Sequence, residues 1–263
     1  MNDQQIMARY EFALGLIREA GDLAHSYFKQ RDSLTIKSKG VQDMASEADL
    51  NTELLIREHL QTHFPEDAFL GEETGASTFE PDQGIWVVDP IDGTQPFISG
   101  MSGWCVSIAF MQANALEFGM VYAPVRDELF AGGRQMPATL NGQPVAKHPG
   151  KTVREGIVGV GYSPRVTPDQ FLSVFARLLK AGAMFYRDGS GALALCYLAG
   201  GRLVGYIEPH INSWDCLGAV AVIQAAGLQM NDFLANDGLR KGNRIIAGNP
   251  EVYAELVEIY GAG

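Results

Sequence analysis

Apolar positions at the start of the chain follow a helical period. Ile6, Tyr10, Leu14, Ile17 and Leu23 fall on one stripe, which predicts an amphipathic helix over residues 4–29. Ser46 followed by Asp49 has the form of a capping box. It opens a second predicted helix, to about residue 64, with Leu50, Leu54 and Leu60 on the inner face. The pattern then shortens to strand length. Expected strands are 34–36, 67–70, 85–88, an antiparallel pair 105–111 and 116–122 turning around Asn114, and 128–131, with a turn-rich stretch at 139–144. The second half opens on a glycine-spaced strand, 156–162, then a helix, 168–181, and a small-residue helix, 189–199. A strand at 203–207, a helix at 214–226, a strand at 244–247 and a closing helix at 250–259, with Pro250 at its first position, complete the chain. Helices and strands interleave throughout, so the expected class is α/β. Two packed halves, 1–146 and 147–263, should meet within residues 133–155, with a site between them.

One run adds chemistry to this pattern: Trp86-Val87-Val88-Asp89-Pro90-Ile91-Asp92-Gly93-Thr94. Residues 85–88 read as a buried strand, being continuously apolar and rich in β-branched side chains. Pro90 has no N–H and should end the ladder. One helical turn beyond it would bring Asp89 and Asp92 to the same side. Two crowded carboxylates repel unless a cation sits between them. Oxygen donors with no nearby His or Cys favour Mg²⁺ over zinc. Gly93 lets a bound group approach the backbone, and Thr94 adds a hydroxyl. These parts suit metal-assisted attack on a phosphate ester. A solitary D-P-x-D can equally cap a helix. Two further acidic elements set this one apart: Gly71-Glu72-Glu73 at a strand end, and Trp214-Asp215 ahead of a small-residue helix, where exposed N–H groups favour an anion.

Composition sharpens the picture. The 263 residues, 46% hydrophobic and 19% charged, can bury a sizeable core. A net charge of −11 argues against nucleic acid as the main partner. It also opposes a phosphate ester, so bound cations become more necessary. No apolar run reaches membrane-spanning length, and residues 1–10 lack the layout of a signal peptide. Cys105, Cys196 and Cys216 are widely spaced and read as buried thiols in a reducing cytoplasm. The five histidines show no metal spacing. The glycines of 156–161 lack the following helix and acidic partner of a dinucleotide site.

In their order along the chain, these acidic elements resemble the inositol monophosphatase family of metal-dependent phosphomonoesterases, over nearly the whole sequence. Asp89-Pro90-Ile91-Asp92-Gly93-Thr94 is the most specific match, and Gly71-Glu72-Glu73 matches the G-E-E element. Residues 43–49, ending in Asp49 and with Lys37 upstream, resemble the D-x-V-T-x-x-D segment. Gly189-Ser190-Gly191-Ala192 resembles the helix start that faces substrate. The W-D element matches more loosely, because its helix ends Gln224-Ala225-Ala226-Gly227 where the family has E-A-G-G. Gln95-Pro96 also departs from the family pattern. Phe97-Ile98-Ser99-Gly100 with Trp104 looks like the histidinol-phosphate phosphatase and nucleotide-phosphatase branches.

The resemblance implies a layered α/β/α/β/α sandwich, usually homodimeric, and a lithium-sensitive Mg²⁺ phosphatase of small phosphate esters. Glu72, Asp89 and the Ile91 carbonyl would hold one metal, and Asp89, Asp92 and Asp215 a second, with a third, weaker ion near Glu72. Glu72 and Thr94 would orient the attacking water, with Asp49 counted among the catalytic residues. The Gly93 and Thr94 N–H groups would cradle phosphate. Gly189, Ser190, Gly191 and Glu208 would face the substrate. Inositol monophosphate or a related polyol or sugar phosphate is the expected substrate. Histidinol phosphate and 3′,5′-bisphosphate nucleotides are the alternatives within the superfamily. Binding to the transcription machinery, as some family members do, is the alternative of a different class.

Overall fold

A computed structural model describes residues 1–261 except 35, 41, 42, 77, 79 and 81; for 33, 36–40 and 43–45 it describes the backbone alone. The elements of the first half are α1 (Asp3–Lys29), β1 (Ile36–Gly40), β2 (Asp43–Ser46), α2 (Glu47–His63), β3 (Ala68–Gly71) and β4 (Gly75–Ala76). There follow β5 (Gly84–Asp92), α3 (Thr94–Ile98), β6 (Cys105–Gln112), β7 (Ala115–Ala123), β8 (Glu128–Gly133), β9 (Thr139–Leu140) and β10 (Gln143–Pro144). The second half holds β11 (Ile157–Val160), α4 (Pro168–Lys180), β12 (Met184–Tyr186), α5 (Gly191–Ala199), β13 (Gly205–Ile211) and α6 (Leu217–Ala225). It closes with β14 (Gln229–Met230), α7 (Gly238–Lys241), β15 (Asn243–Gly248) and α8 (Pro250–Gly261).

Five layers result. Helices α1 and α2 pack on one face of an eight-stranded sheet, ordered β10-β9-β8-β7-β6-β5-β3-β4. Helices α5 and α6 cover its other face. Helix α5 also touches the five-stranded sheet β12-β11-β13-β15-β14, which α8 backs from outside together with α4. This is the expected α/β/α/β/α sandwich.

Sheet parity explains the apolar run at 85–88. Trp86 and Val88 join the core under α1 and α2, whereas Ile85 and Val87 join the core shared with α5 and α6. Both faces are covered, so no polar alternation appears. The strand does not stop at Pro90, as the sequence suggests. It runs to Asp92 through a bulge: Asp89 pairs with Ser107, and Asp92 with Cys105, so three steps on β5 match two on β6. The extra residue reverses parity. Asp89 and Asp92 therefore share a face because of a β-bulge, not a helical turn. The bulge also tolerates a proline, which has no donor for the ladder.

Other expectations shift. Helix α2 has the capping box at Ser46, but Leu50 and Leu54 are 41% and 45% exposed. Its buried side carries Asp49, Thr52 and Glu53 beside Ile56 and Leu60. The expected strand 34–36 appears as Ile36–Gly40, with residue 35 outside the described set. The strand expected at 203–207 runs Gly205–Ile211, and helices α5 and α6 begin at Gly191 and Leu217, later than expected.

Helix α6 lies directly on β7. A methyl group on Gly119 would overlap the Gly218 carbonyl oxygen, and one on Gly218 would fall 2.5 Å from Ser107 Oγ. Two absent side chains thus set the height of this helix above the sheet.

Candidate active site

The site forms where β3 and β5 end side by side. These strands are parallel, with Gly71 opposite Val88, and the Glu72 N–H donates to the Val88 carbonyl at 3.3 Å. Glu72 is thereby delivered next to Asp89. Across the shared core, the turn before α6 brings in Asp215. Carboxylate oxygens of Glu72, Asp89 and Asp215 all lie within 4.8 Å of one another.

Asp89 is 1% exposed and its Oδ1 accepts the Ile91 N–H at 2.9 Å. Burial, then the charges of Glu72, Asp92 and Asp215, push its carboxyl well above the usual range. Asp215 is also pushed up by burial, against hydrogen bonds that favour its charge. Two of those come from Asn212, whose N–H and side-chain amide donate to Oδ2 at 3.3 and 3.0 Å.

Asp92 stands beside this trio and is held by the second half of the chain. Its Oδ2 accepts from Ser190 Oγ at 2.6 Å and from the Ala192 N–H at 2.7 Å. Ser190 is also the N-cap of α5, where it accepts the Leu193 N–H at 3.1 Å. Burial first, and then Asp215, push Asp92 up to about 7, against the hydrogen bonds from Ser190 and Ala192.

Gly93 turns the chain with φ 97°, in the left-handed region where glycine is unstrained, and starts α3. Thr94 Oγ1 sits 3.4 Å from Asp49 Oδ1 and 3.3 Å from the Ile91 carbonyl. Asp49 is fixed in turn: its Oδ2 accepts the Ser46 N–H at 2.8 Å and Ser46 Oγ at 2.7 Å. Burial pushes its carboxyl upward. The side chains of Lys37 and Asp43 lie outside the described residues.

Sequence reading missed Glu53. It is fully buried, and its two carboxylate oxygens accept the Glu73 and Thr74 N–H groups at 2.8 and 2.7 Å. Arg57 Nη1 donates to Thr74 Oγ1 at 3.0 Å. The signal was present: Asp49, Glu53 and Arg57 recur at i, i+4 and i+8 on one helix face. Phe97 and Trp104 belong to the aromatic cluster beneath α3. Both are fully buried under the turn, with ring centroids 4.9 Å apart.

Glu208 lies in a cleft lined also by Gly161, Tyr162, Arg187, Gly189 and Ser190. It is 6% exposed and accepts the Tyr206 hydroxyl at 2.6 Å. Burial pushes its carboxyl up to about 8. The three cysteines are buried free thiols. No described helix is long and apolar enough to cross a membrane.

A layered α/β sandwich with buried carboxylates gathered at the strand ends of its large sheet is the fold class shared with solved inositol monophosphatases. More narrowly, this chain is a member of the inositol monophosphatase family, whose model matches residues 7–260. A relative from Haemophilus influenzae, named Nus factor SuhB, is 34% identical over 249 residues, covering 93% of this chain and 92% of the relative. The solved structure of the extragenic suppressor protein suhB from Bartonella henselae superposes with a TM-score of 0.90 at 28% identity, covering 97% of this chain and 99% of that one. An inositol monophosphatase from Anabaena (Nostoc) sp. PCC 7120 gives 0.83 at 26% identity, covering 98% and 97%.

Proposed function

We propose that this chain hydrolyses small phosphate monoesters of polyols or sugars, inositol monophosphate foremost, with Mg²⁺ as cofactor. The observation that carries this reading is the Glu72–Asp89–Asp215 cluster, whose carboxylate oxygens lie within 4.8 Å of one another. The donor set fits the ion: all are hard oxygens, and burial together with the neighbouring acids drives Asp89 upward, a strain that a divalent cation relieves. Glu72, Asp89 and the Ile91 carbonyl would hold one ion, and Asp89, Asp92 and Asp215 a second, with a third, weaker ion near Glu72 as the family resemblance implies. Such ions supply Lewis acidity toward the phosphoryl oxygens and lower the pKa of water.

The protein groups do the positioning. Thr94 Oγ1, anchored between Asp49 and the Ile91 carbonyl, keeps a lone pair to orient the attacking water, which Glu72 would orient as well. The first N–H groups of α3 have no partner within the helix, so Gly93 and Thr94 can hold phosphate oxygens. Gly189, Ser190 and Gly191 wall the leaving-group side, and Glu208 receives a substrate hydroxyl.

The test is phosphate release from inositol 1-phosphate, glycerol 2-phosphate, histidinol phosphate, fructose 1,6-bisphosphate and adenosine 3′,5′-bisphosphate, with Mg²⁺ and with EDTA. We expect Mg²⁺-dependent release, fastest from inositol 1-phosphate. Release in EDTA equal to that in Mg²⁺ contradicts the mechanism. A second reading, binding to the transcription machinery, is supported by the name Nus factor carried by the Haemophilus relative. It predicts co-purification with RNA polymerase that persists in an Asp89→Asn variant.

A further inference from the structure

The glycines of residues 156–161 have no role in the reading above, and the structure supplies one. Strand β11 runs parallel to β13, with Gly159 opposite Tyr206, and the Gly161 N–H donates to the Ile207 carbonyl at 3.0 Å. The two-residue period places Gly159 and Gly161 against Tyr206 and Glu208. A methyl group on Gly159 would fall 2.6 Å from Tyr206 Cδ2, and one on Gly161 would overlap the Glu208 carboxyl. The paired glycines leave a recess in the sheet face, and the Tyr206–Glu208 pair fills it.

Within that recess Tyr206 is 1% exposed, and its hydroxyl donates to Glu208 Oε2 at 2.6 Å. Among the described residues it is the hydrogen-bond donor to this carboxyl. A hydrogen bond to one oxygen of a buried carboxyl restricts its rotamers and leaves the other oxygen for a ligand. The recess opens on the cleft that Ser190 and Gly191 also line.

We propose that Tyr206 is a positioning residue that, with the space left by Gly161, locks Glu208 for recognition of a hydroxyl-bearing leaving group. The inference rests on the proposed phosphatase reading and deepens it, by placing the selectivity for polyol esters in a pair of residues behind the site. Tyr206 itself touches neither the reacting phosphate nor the carboxylate cluster.

The test compares wild type with Tyr206→Phe in Mg²⁺ on inositol 1-phosphate and on phenyl phosphate, whose leaving group carries no further hydroxyl. We expect the ratio of kcat/KM values, inositol ester over phenyl ester, to fall roughly tenfold, through KM, the size expected for one lost hydrogen bond to a charged or acidic group. Gly161→Ala should shift the same ratio the same way, since it displaces the same carboxyl. An equal loss on both esters, or an unchanged ratio, overturns the proposal. Calorimetric binding of inositol 1-phosphate in Ca²⁺ reads the pair without turnover. If wild type binds in Ca²⁺ but releases no phosphate in Mg²⁺, the phosphatase reading fails, while weaker binding by Tyr206→Phe still supports the positioning role and equal binding overturns it. Absence of binding to wild type overturns both.

Discussion

Asp92 and Ser190, ninety-eight positions apart in sequence, are joined by a 2.6 Å hydrogen bond from the serine hydroxyl to the carboxyl. The same hydroxyl caps α5, so one side chain both starts a helix and holds a candidate metal ligand.

Ser190→Ala removes both duties. Loss of a buried hydrogen bond to an acidic group and of an N-cap should cost about 2–4 kcal/mol in stability. Urea unfolding in EDTA reads this directly. The Mg²⁺ concentration for half-maximal activity should rise as well, because Asp92 loses its orientation. Unchanged stability and unchanged Mg²⁺ dependence would dismiss the coupling.

Asp89→Asn should separate stability from activity. The asparagine is isosteric and neutral, and it removes the charge that burial and three neighbouring acids oppose. We expect the thermal midpoint in EDTA to rise while phosphate release disappears. A lower midpoint in EDTA would mean that repulsion in the cluster is smaller than the geometry indicates.

Glu53→Ala should lower activity without touching substrate. It frees the Glu73 and Thr74 N–H groups and leaves the Glu72 loop unanchored. The expected cost is about 2–4 kcal/mol of stability, with turnover down at least about tenfold. Full turnover at saturating Mg²⁺ would show that the loop holds itself.

Stability without metal should fall as pH rises. Glu208 titrates at about 8 against 4.5 when unperturbed, and Asp92 at about 7 against 3.8. Between those values the folded protein holds protons that the unfolded chain has released, so raising the pH favours unfolding. The decline starts near pH 4 and is complete above about pH 8. Each kcal/mol lost lowers the midpoint by roughly 2–4 °C at this size. Thermal scans in EDTA from pH 5 to 8 should show the fall, and Mg²⁺ should flatten it. A midpoint that rises over this range in EDTA would contradict the burial of these acids.

Much of this was legible in the sequence because local chemistry agreed with the fold. The Ser46–Asp49 capping box, the turn at Asn114 with φ 61°, and Pro250 opening α8 are each decided by neighbouring residues. The inner face of α2 was not. Leu50 and Leu54 suggested an apolar stripe, but the loop after β3 needed the Glu53 carboxylate, and Ser46 and Thr94 the Asp49 carboxylate, so these acids won the buried side. The continuation of β5 past Pro90 was hidden for a similar reason. A bulge exists only relative to a partner strand, here β6, and no local pattern announces it. The site's acidic members were readable as residue types, whereas the pairing of Asp92 with Ser190 depended on the packed layers.

The closeness of α6 to the sheet has a consequence for the ligands themselves. Asp215 stands just ahead of that helix, three residues before Gly218, while Asp89 is fixed to the sheet through β5. The gap between the two carboxylates, which share a hydrogen bond, is therefore also gauged by a glycine-on-glycine seat inside the core. A single methyl on either face of that seat would act like a shim under a hinge. It would open the jaw that must grip a small ion, with every acidic residue of the site still in its place in the sequence.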